Sequence, residues 1–107
     1  MVLKIDTTDR QKIKVWLIDP RAKLKDQVAA KQLGSQILLP SIIKILKKNK
    51  KSLGDIDEIQ VAQGPGSFTG TRVGVSVANA LAYALNIPVN GKRGKIVLPK
   101  YQKSKFD

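Results

Sequence analysis

Apolar and polar side chains alternate along the N-terminal part of the chain. Between residues 12 and 19, every second residue, from Ile13 through Leu17, falls on one side of an extended backbone and is apolar. This period of two, carried largely by β-branched residues, is typical of a half-buried strand. Residues 2–7 and 22–30 predict two further strands, with turn-forming residues between them. The pattern therefore predicts a three-stranded antiparallel meander.

Two later stretches have the spacing of helices. From Ser35 to about residue 50, apolar residues recur with helical spacing, which predicts an amphipathic helix. Pro40 lies inside this helix, and because proline has no amide hydrogen, we expect a bend there or a helix that starts late. A second helix is predicted from about Thr71 to Asn86.

Strands are predicted on both sides of the second helix, over residues 58–63 and 87–90. A strand, a helix and a strand in this order imply parallel pairing through a right-handed crossover. The predicted fold class is therefore α/β, with a mixed sheet made of the antiparallel meander plus parallel strands and two main helices packed on it. We expect residues 1–91 to form one lobe and residues 92–107 a basic extension, in which residues 96–98 dock as an edge strand.

The composition narrows the chemistry that the chain can perform. Its 107 residues include neither Cys nor His, which excludes the usual zinc sites and Ser–His or Cys–His catalysis within this chain. The few carboxylates are scattered, so we expect no catalytic residue, no cofactor and no metal. The apolar runs are too short to span a membrane and the first residues do not resemble a signal peptide, so we expect a cytoplasmic protein.

The chain is strongly basic, with a formal net charge of +12 at pH 7. Such a field attracts polyanions such as RNA, DNA or an acidic membrane, but a general lysine bias accounts for the same charge. Lys47 and Lys48, at the end of the first helix, fit either a solvated helix end or a binding patch. Together with Lys92, Arg93 and Lys95 of the extension, they are the candidate RNA contacts.

The second helix is unusual because Arg72 is its one charged residue. Small residues recur at every fourth position from Gly70 to Ala82, and this spacing lets another element approach closely. Since an ordinary surface helix has a charged face, we expect one side of this helix to meet another chain; burial by the first helix and the tail of the same chain is the alternative. The candidate interface residues are Gly70, Arg72, Val73, Gly74, Val77, Ala78 and Leu81, with Leu39, Ile42 and Ile43 of the first helix.

A glycine-rich loop, residues 64–70, connects the predicted strand to the second helix. Such a loop at a helix N-terminus can hold an anion with its backbone amides, but it lacks the Lys-Ser/Thr end of a P-loop and the glycine spacing of a dinucleotide fold. A structural turn is therefore favoured over nucleotide binding. Asp6, at the end of the first strand, is likewise favoured as a polar strand end over a metal or phosphate ligand.

These features, in this order, resemble the TsaB (YeaZ) family of bacterial tRNA threonylcarbamoyladenosine biosynthesis proteins, which belongs to the actin-like ATPase superfamily. The most specific part is the string Gly-Pro-Gly-Ser-Phe-Thr-Gly-x-Arg that begins at Gly64. Family members are longer and have a second lobe, so the resemblance implies a single actin-like (ASKHA, ribonuclease H-like) lobe here. The matching segments are residues 3–8, 35–40, 56–59, 64–74 and 78–88.

The resemblance implies a function in tRNA modification. TsaB-like proteins are not the catalyst: they pair with the larger paralogue TsaD, which transfers a threonylcarbamoyl group to N6 of the adenosine next to the anticodon, and the ATPase TsaE joins them. The contact with TsaD resembles a bundle of two helices from each subunit, here the helices near residues 35–50 and 70–86. The resemblance thus implies a heterodimer with TsaD, a homodimer when the chain is alone, and tRNA contact through the complex.

Two other functions stay open at this point. A free-standing RNA-binding module would place Lys12, Lys14 and the basic tail on phosphates, and its RNA affinity would fall steeply with salt. An actin-like enzyme would bind ATP through Asp6 and the 64–70 loop.

Overall fold

One mixed sheet with two helices on it makes up the computed structural model, which describes residues 1–9, 11–19, 21, 23–30, 35–66 and 68–100. The strands are β1 (Val2–Asp6), β2 (Ile13–Asp19), β3 (Lys23–Ala30) and β4 (Glu58–Val61), and the helices are α1 (Ser35–Lys48) and α2 (Phe68–Leu85). In the order β3-β2-β1-β4, β2 pairs antiparallel with β1 and β3, and β4 pairs parallel with β1. The α/β class and the three-stranded meander are thereby confirmed.

The core lies between one face of the sheet and the two helices. Leu3 and Ile5 of β1 are fully buried and pair with the equally buried Leu17 and Val15 of β2. Ile59 of β4 lies beside Leu3 and continues the same face. β1, β2 and β4 thus turn every second side chain toward the helices, which confirms the predicted period of two in these strands. Within the described residues, neither helix is long and apolar enough to cross a bilayer.

Helix α1 continues through its internal proline. It begins at Ser35 and contains Pro40, so of the two predicted alternatives, a bend or a late start, the late start is not formed. A proline removes one intrahelical hydrogen bond, whereas the apolar stripe of α1 is buried on both sides of it, at Leu38 and at Ile42. Burial of that stripe against β2 and β3 holds the helix together across the missing bond.

Both helices end in the same type of cap. Lys50 follows α1 and Asn86 follows α2, and both adopt the left-handed conformation, with φ of 57° and 55°. After α2, the amide of Ile87 donates to the carbonyl of Ala82 at 3.0 Å, and an equivalent bond of 2.8 Å closes α1. These are Schellman caps, in which glycine is the usual left-handed residue. Lysine carries a steric cost in that conformation that asparagine partly avoids.

Replacing Lys50 by glycine is expected to stabilise the chain, because glycine adopts a positive φ without that cost. We expect Lys50→Gly to raise the free energy of unfolding by about 1 kcal/mol, measured as a higher Tm by circular dichroism. Lys51→Gly, at a position without a positive φ, is the control and should bring no gain. A Tm of Lys50→Gly at or below that of the wild type would contradict the interpretation.

The chain turns back shortly after α2. Val89 forms a single parallel bridge with Ile59 of β4, where the sequence predicted a short final strand. Asn90 and Gly91, both with positive φ, reverse the chain at this point in a two-residue turn, which leaves room for the bridge alone. The Asn90 side chain then accepts from the amide of Val61 at 2.8 Å and donates to its carbonyl at 3.0 Å.

The segment after Gly91 lies against α2. Residues 96–98 have no strand pairing in the structure, so the predicted edge strand is not formed. Instead, the Asn79 side chain of α2 donates to the carbonyl of Val97 at 2.8 Å and accepts from its amide at 2.9 Å. The Asn79 side chain thus bonds the amide and the carbonyl of Val97, which would otherwise pair with a neighbouring strand. Residues 101–107 of the predicted extension lie outside the described residues.

The hydroxyl of Thr7 connects the end of β1 to the start of α2. It donates to the carbonyl of Gly70 and accepts from the amide of Gly74 at 3.1 Å. This carbonyl and this amide are four residues apart, the spacing of one α-helical hydrogen bond. The hydroxyl of Thr7 therefore bonds both partners of one i to i+4 pair in the first turns of α2. Thr7 is fully buried, and a Cβ on Gly74 would overlap its Oγ1. The close approach of strand and helix therefore requires glycine at position 74.

Gly74→Ala is expected to destabilise the chain, although alanine is the better helix former. The added methyl group has to displace Thr7, and we expect the free energy of unfolding to fall by about 2–3 kcal/mol, measured by urea denaturation. Ser76→Ala, at an exposed position of the same helix, is the matched control and should stay within about 0.5 kcal/mol of the wild type. Equal stability of the two variants would show that the Thr7 contact does not constrain α2.

Candidate partner interface

The stripe of small residues on α2 faces the chain's own sheet. Gly70 and Gly74 are buried, and Ala78 is 0 % exposed. Along this side, α2 contacts β1 and β4. The prediction that Gly70, Gly74 and Ala78 meet another chain is therefore wrong, because their small side chains bring α2 close to strands of the same chain.

Two larger candidate residues also belong to the core. Val77 of α2 and Ile42 of α1 are buried among the other apolar core residues, so a partner cannot reach them while the chain is folded. The prediction that Val77 and Ile42 contact another chain is therefore wrong, because both side chains point into the core between the helices and the sheet. Since α1 and α2 pack on the same sheet face and contact each other, each has only its outer side open.

An apolar surface remains on that outer side. On α1, Leu39 and Ile43 are 43 % and 39 % exposed. On α2, half-buried Val73 and Leu81 lie among small exposed residues. We name this set of accessible residues the outer helix face; its members are Leu39, Pro40 and Ile43 of α1 and Val73, Ser76, Ala80, Leu81 and Ala84 of α2.

The sequence identifies part of this surface. The predicted interface residues that belong to it are Leu39, Ile43, Val73 and Leu81; Arg72 is also exposed but is not among its members. The sequence does not identify Ala80 or Ala84 as surface residues, because alanine occurs on both the buried and the exposed side of an apolar helix. Their exposure follows from the rotation of α2, which depends on the contact with Thr7.

Lysines border the α1 part of the outer helix face. Lys44, Lys47 and Lys48 line one shallow groove with Leu39 and Ile43. Two of these lysines, Lys47 and Lys48, are the predicted RNA contacts of the first helix, and both are exposed. The structure thus places them beside an apolar surface, where they add positive charge to its edge.

One of these lysines has a carboxylate partner on the sheet. The Nζ of Lys48 lies 3.6 Å from Oδ2 of Asp26 on β3, and the same oxygen accepts from the Asn49 side chain at 2.9 Å. The bond from Asn49, with the backbone amide of Gln27 and the charge of Lys48, lowers the pKa of Asp26 below its ordinary value. Asp26 therefore stays ionised at neutral pH and connects β3 to the end of α1.

The glycine-rich loop and the turn at Asp6 lie side by side. A Cβ on Gly66 would come within 2.6 Å of the Thr8 Cβ, so the two loops touch. One carboxylate oxygen of Asp6 accepts from the amide of Thr8 at 2.9 Å and from its hydroxyl at 2.7 Å, as in an Asx turn. Among the described residues, no three carboxylates come together as metal ligands. This geometry supports the structural turn that the sequence favours.

The predicted RNA contacts of the extension lie beside the C-terminal half of α2. Lys92 and Lys95 line a cavity of about 280 Å³ together with Tyr83. Arg93 donates from Nη1 to the carbonyl of Asn86 at 2.9 Å and so caps the end of α2. The sequence does not single out Tyr83, because an aromatic residue in an apolar helix is usually largely buried, whereas Tyr83 is 90 % exposed.

Two neighbouring alanines distinguish the buried side of α2 from its exposed side. Ala78→Glu places a carboxylate in the core, and we expect it to lower the free energy of unfolding by about 4 kcal/mol or more. Ala80→Glu places the same group in solvent and should change it by no more than about 0.5 kcal/mol. Circular dichroism and thermal denaturation of both variants check this, and a folded, stable Ala78→Glu variant would contradict the orientation of α2.

The chain is similar in sequence to proteins of tRNA threonylcarbamoyladenosine biosynthesis. Residues 27–91 match the family model described as TsaD: tRNA N6-adenosine threonylcarbamoyltransferase. The protein TsaB of Buchnera aphidicola (subspecies Baizongia pistaciae) is 38% identical over 74 residues, which are 69% of this chain and 34% of that protein. The TsaB protein of Escherichia coli is 40% identical over 57 residues, 53% of this chain and 25% of that protein.

The fold is similar as well. The structure of YeaZ from Pseudomonas aeruginosa has a TM-score of 0.74 and 32% sequence identity, with 82% of this chain and 40% of that chain covered. The chain thus spans about a third of the length of its Buchnera relative, at 34%. The predicted resemblance and the actin-like lobe are confirmed. The chain belongs to the family that this TsaD model describes and, within it, to the TsaB (YeaZ) group.

Proposed function

We propose that the chain is a non-catalytic accessory subunit that binds and activates a TsaD paralogue in the N6-threonylcarbamoyladenosine modification of cytoplasmic tRNA. Its relatives carry names of that biosynthesis. The observation that carries the proposal is the outer helix face, an accessible apolar surface in a chain of which 26% is charged. Exposed apolar patches of this kind mark protein–protein contacts.

The two helices contribute different features to the contact. On α1, Leu39 and Ile43 project large apolar side chains. On α2, the small side chains of Ser76, Ala80 and Ala84 allow a partner helix to approach closely. Full burial of one leucine or isoleucine contributes about 1.5–3 kcal/mol, and these two are already partly buried. Since association costs about 4–15 kcal/mol, binding requires both helices together.

The charge at the border of the outer helix face selects the partner. Lys44 and Lys47 lie beside the apolar residues of α1, and the chain as a whole carries +12. A partner with acidic residues around an apolar helix pair complements this border. In a homodimer through the same face, the lysines of two copies approach each other if the axis is two-fold. We therefore expect the homodimer of the isolated chain to be weaker than the complex with TsaD.

The contribution of the chain to the reaction is structural in this proposal. The chain contains no histidine and no cysteine, and one oxygen of the Asp6 carboxylate bonds within its own turn. By covering helices of TsaD, the outer helix face holds the catalytic subunit in its active arrangement. The ATPase TsaE then joins through the complex.

Co-expression with the cognate TsaD paralogue tests the proposal. Ile43→Glu and Ala80→Glu each place a carboxylate on the outer helix face and are expected to weaken the complex at least about tenfold, because a buried unpaired charge is costly. The complex is measured by pull-down and by size-exclusion chromatography, and threonylcarbamoylation of tRNA should fall in parallel.

Gln60→Glu is the matched control for these two variants. It introduces the same charge at an exposed position of β4, away from both helices, and should leave the complex intact. Circular dichroism shows that each variant is folded. Wild-type binding by both helix variants would overturn the proposal.

A further inference from the structure

A small cavity lies between the C-terminal half of α2 and the segment that follows it. Ala82 and Val89 are its buried lining, and the exposed residues that line it are Tyr83, Asn86, Lys92, Gly94, Lys95 and Ile96. Its volume is about 280 Å³. None of the described residues that line it is acidic, so the local charge is positive.

The segment that carries the two lysines is fixed at both ends. Across the Asn90–Gly91 turn, the amide of Val89 donates to the carbonyl of Lys92 at 3.1 Å, and the amide of Lys92 donates to the carbonyl of Val89 at 3.0 Å. At the other end, the Asn79 side chain bonds both backbone groups of Val97. Lys92 and Lys95 therefore extend from a backbone that is held in place against α2.

The position of Tyr83 is the second unusual feature. Its ring is 90 % exposed, although it belongs to the helix that supplies much of the core. A single exposed aromatic side chain is common on protein surfaces. The informative feature is its position on a cavity that Ala82, Val89 and two lysines also line.

We propose that this cavity binds one nucleotide of single-stranded RNA, with the base stacked on Tyr83 and the adjacent phosphates near Lys92 and Lys95. An aromatic ring beside cations is the combination by which proteins hold unpaired bases. The cavity is smaller than most ligand pockets, which measure about 300–1,000 Å³, and it does not accommodate a peptide helix. Lysine is also depleted at protein–protein contacts, which favours RNA over a protein partner.

The inference goes beyond the proposed function and rests on it only for the view that the RNA is tRNA. The cavity and the outer helix face lie on different residues of α2. RNA binding by the isolated chain and binding of the TsaD paralogue are therefore separate measurements, and either can fail alone.

Fluorescence anisotropy of the full chain with a short labelled single-stranded RNA of mixed sequence tests the site. Tyr83→Ala is expected to weaken binding about tenfold, the order of effect of one stacked base. Tyr83→Phe keeps the ring and should bind as the wild type does. Because the side chain is exposed, both variants should fold, which circular dichroism verifies.

Salt titration tests the lysines. The double variant Lys92→Gln, Lys95→Gln should reduce the slope of log affinity against log salt by about 1.4, as expected for two lost phosphate contacts on a single strand. The double variant Lys12→Gln, Lys14→Gln removes the same charge at the start of β2 and should have a smaller effect.

Two results would overturn the inference. The first is unchanged RNA affinity in Tyr83→Ala; if that variant also loses the TsaD paralogue, the cavity is part of a protein interface. The second is an equal loss from both lysine pairs, which would mean that the whole surface attracts RNA without a site.

Discussion

The hydroxyl of Thr7 determines where α2 lies on the sheet. It bonds both the carbonyl of Gly70 and the amide of Gly74, so the helix backbone comes within one short side chain of the end of β1. This contact needs a hydroxyl on the strand side and the absence of a side chain on the helix side. Because it engages two successive turns of an 18-residue helix, it restricts the rotation of α2 as well as its distance from the sheet.

That rotation divides α2 among three environments. The Gly and Ala stripe through Ala78 is buried, Ala80 and Ala84 are exposed, and Tyr83 adjoins the segment after the helix. A helix whose small residues pack closely against a sheet has no room for charged residues on that side. The near absence of charge in α2, which the sequence shows directly, thus reflects core packing along the buried stripe.

The sequence predicts the strands and both helices well, because burial of one face imposes its period on the residues of β2 and α1. It could not orient α2, since glycine and alanine fit against a sheet or against another helix equally well. The deciding contact comes from Thr7, 63 residues before Gly70 in the chain. Residues 96–98 have the apolar pattern of a strand, but Asn79 bonds the backbone of Val97 in place of a neighbouring strand. A hydrogen bond from a side chain to a distant backbone group produces no repeating pattern of apolar residues, so it cannot be predicted from the sequence.

The bonds around β4 have a consequence for association between molecules. On the outer side of β4, the amide of Ile59 donates to the carbonyl of Pro88 at 3.0 Å and its carbonyl accepts from the backbone amide of Asn90 at 2.8 Å. The side-chain amide of Asn90 bonds both the amide and the carbonyl of Val61. An open strand at the margin of a sheet recruits strands from other molecules and promotes aggregation. Here a segment that adds only one bridge to the sheet already bonds the outward amides and carbonyls of Ile59 and Val61, so these groups are not open to a strand from another molecule.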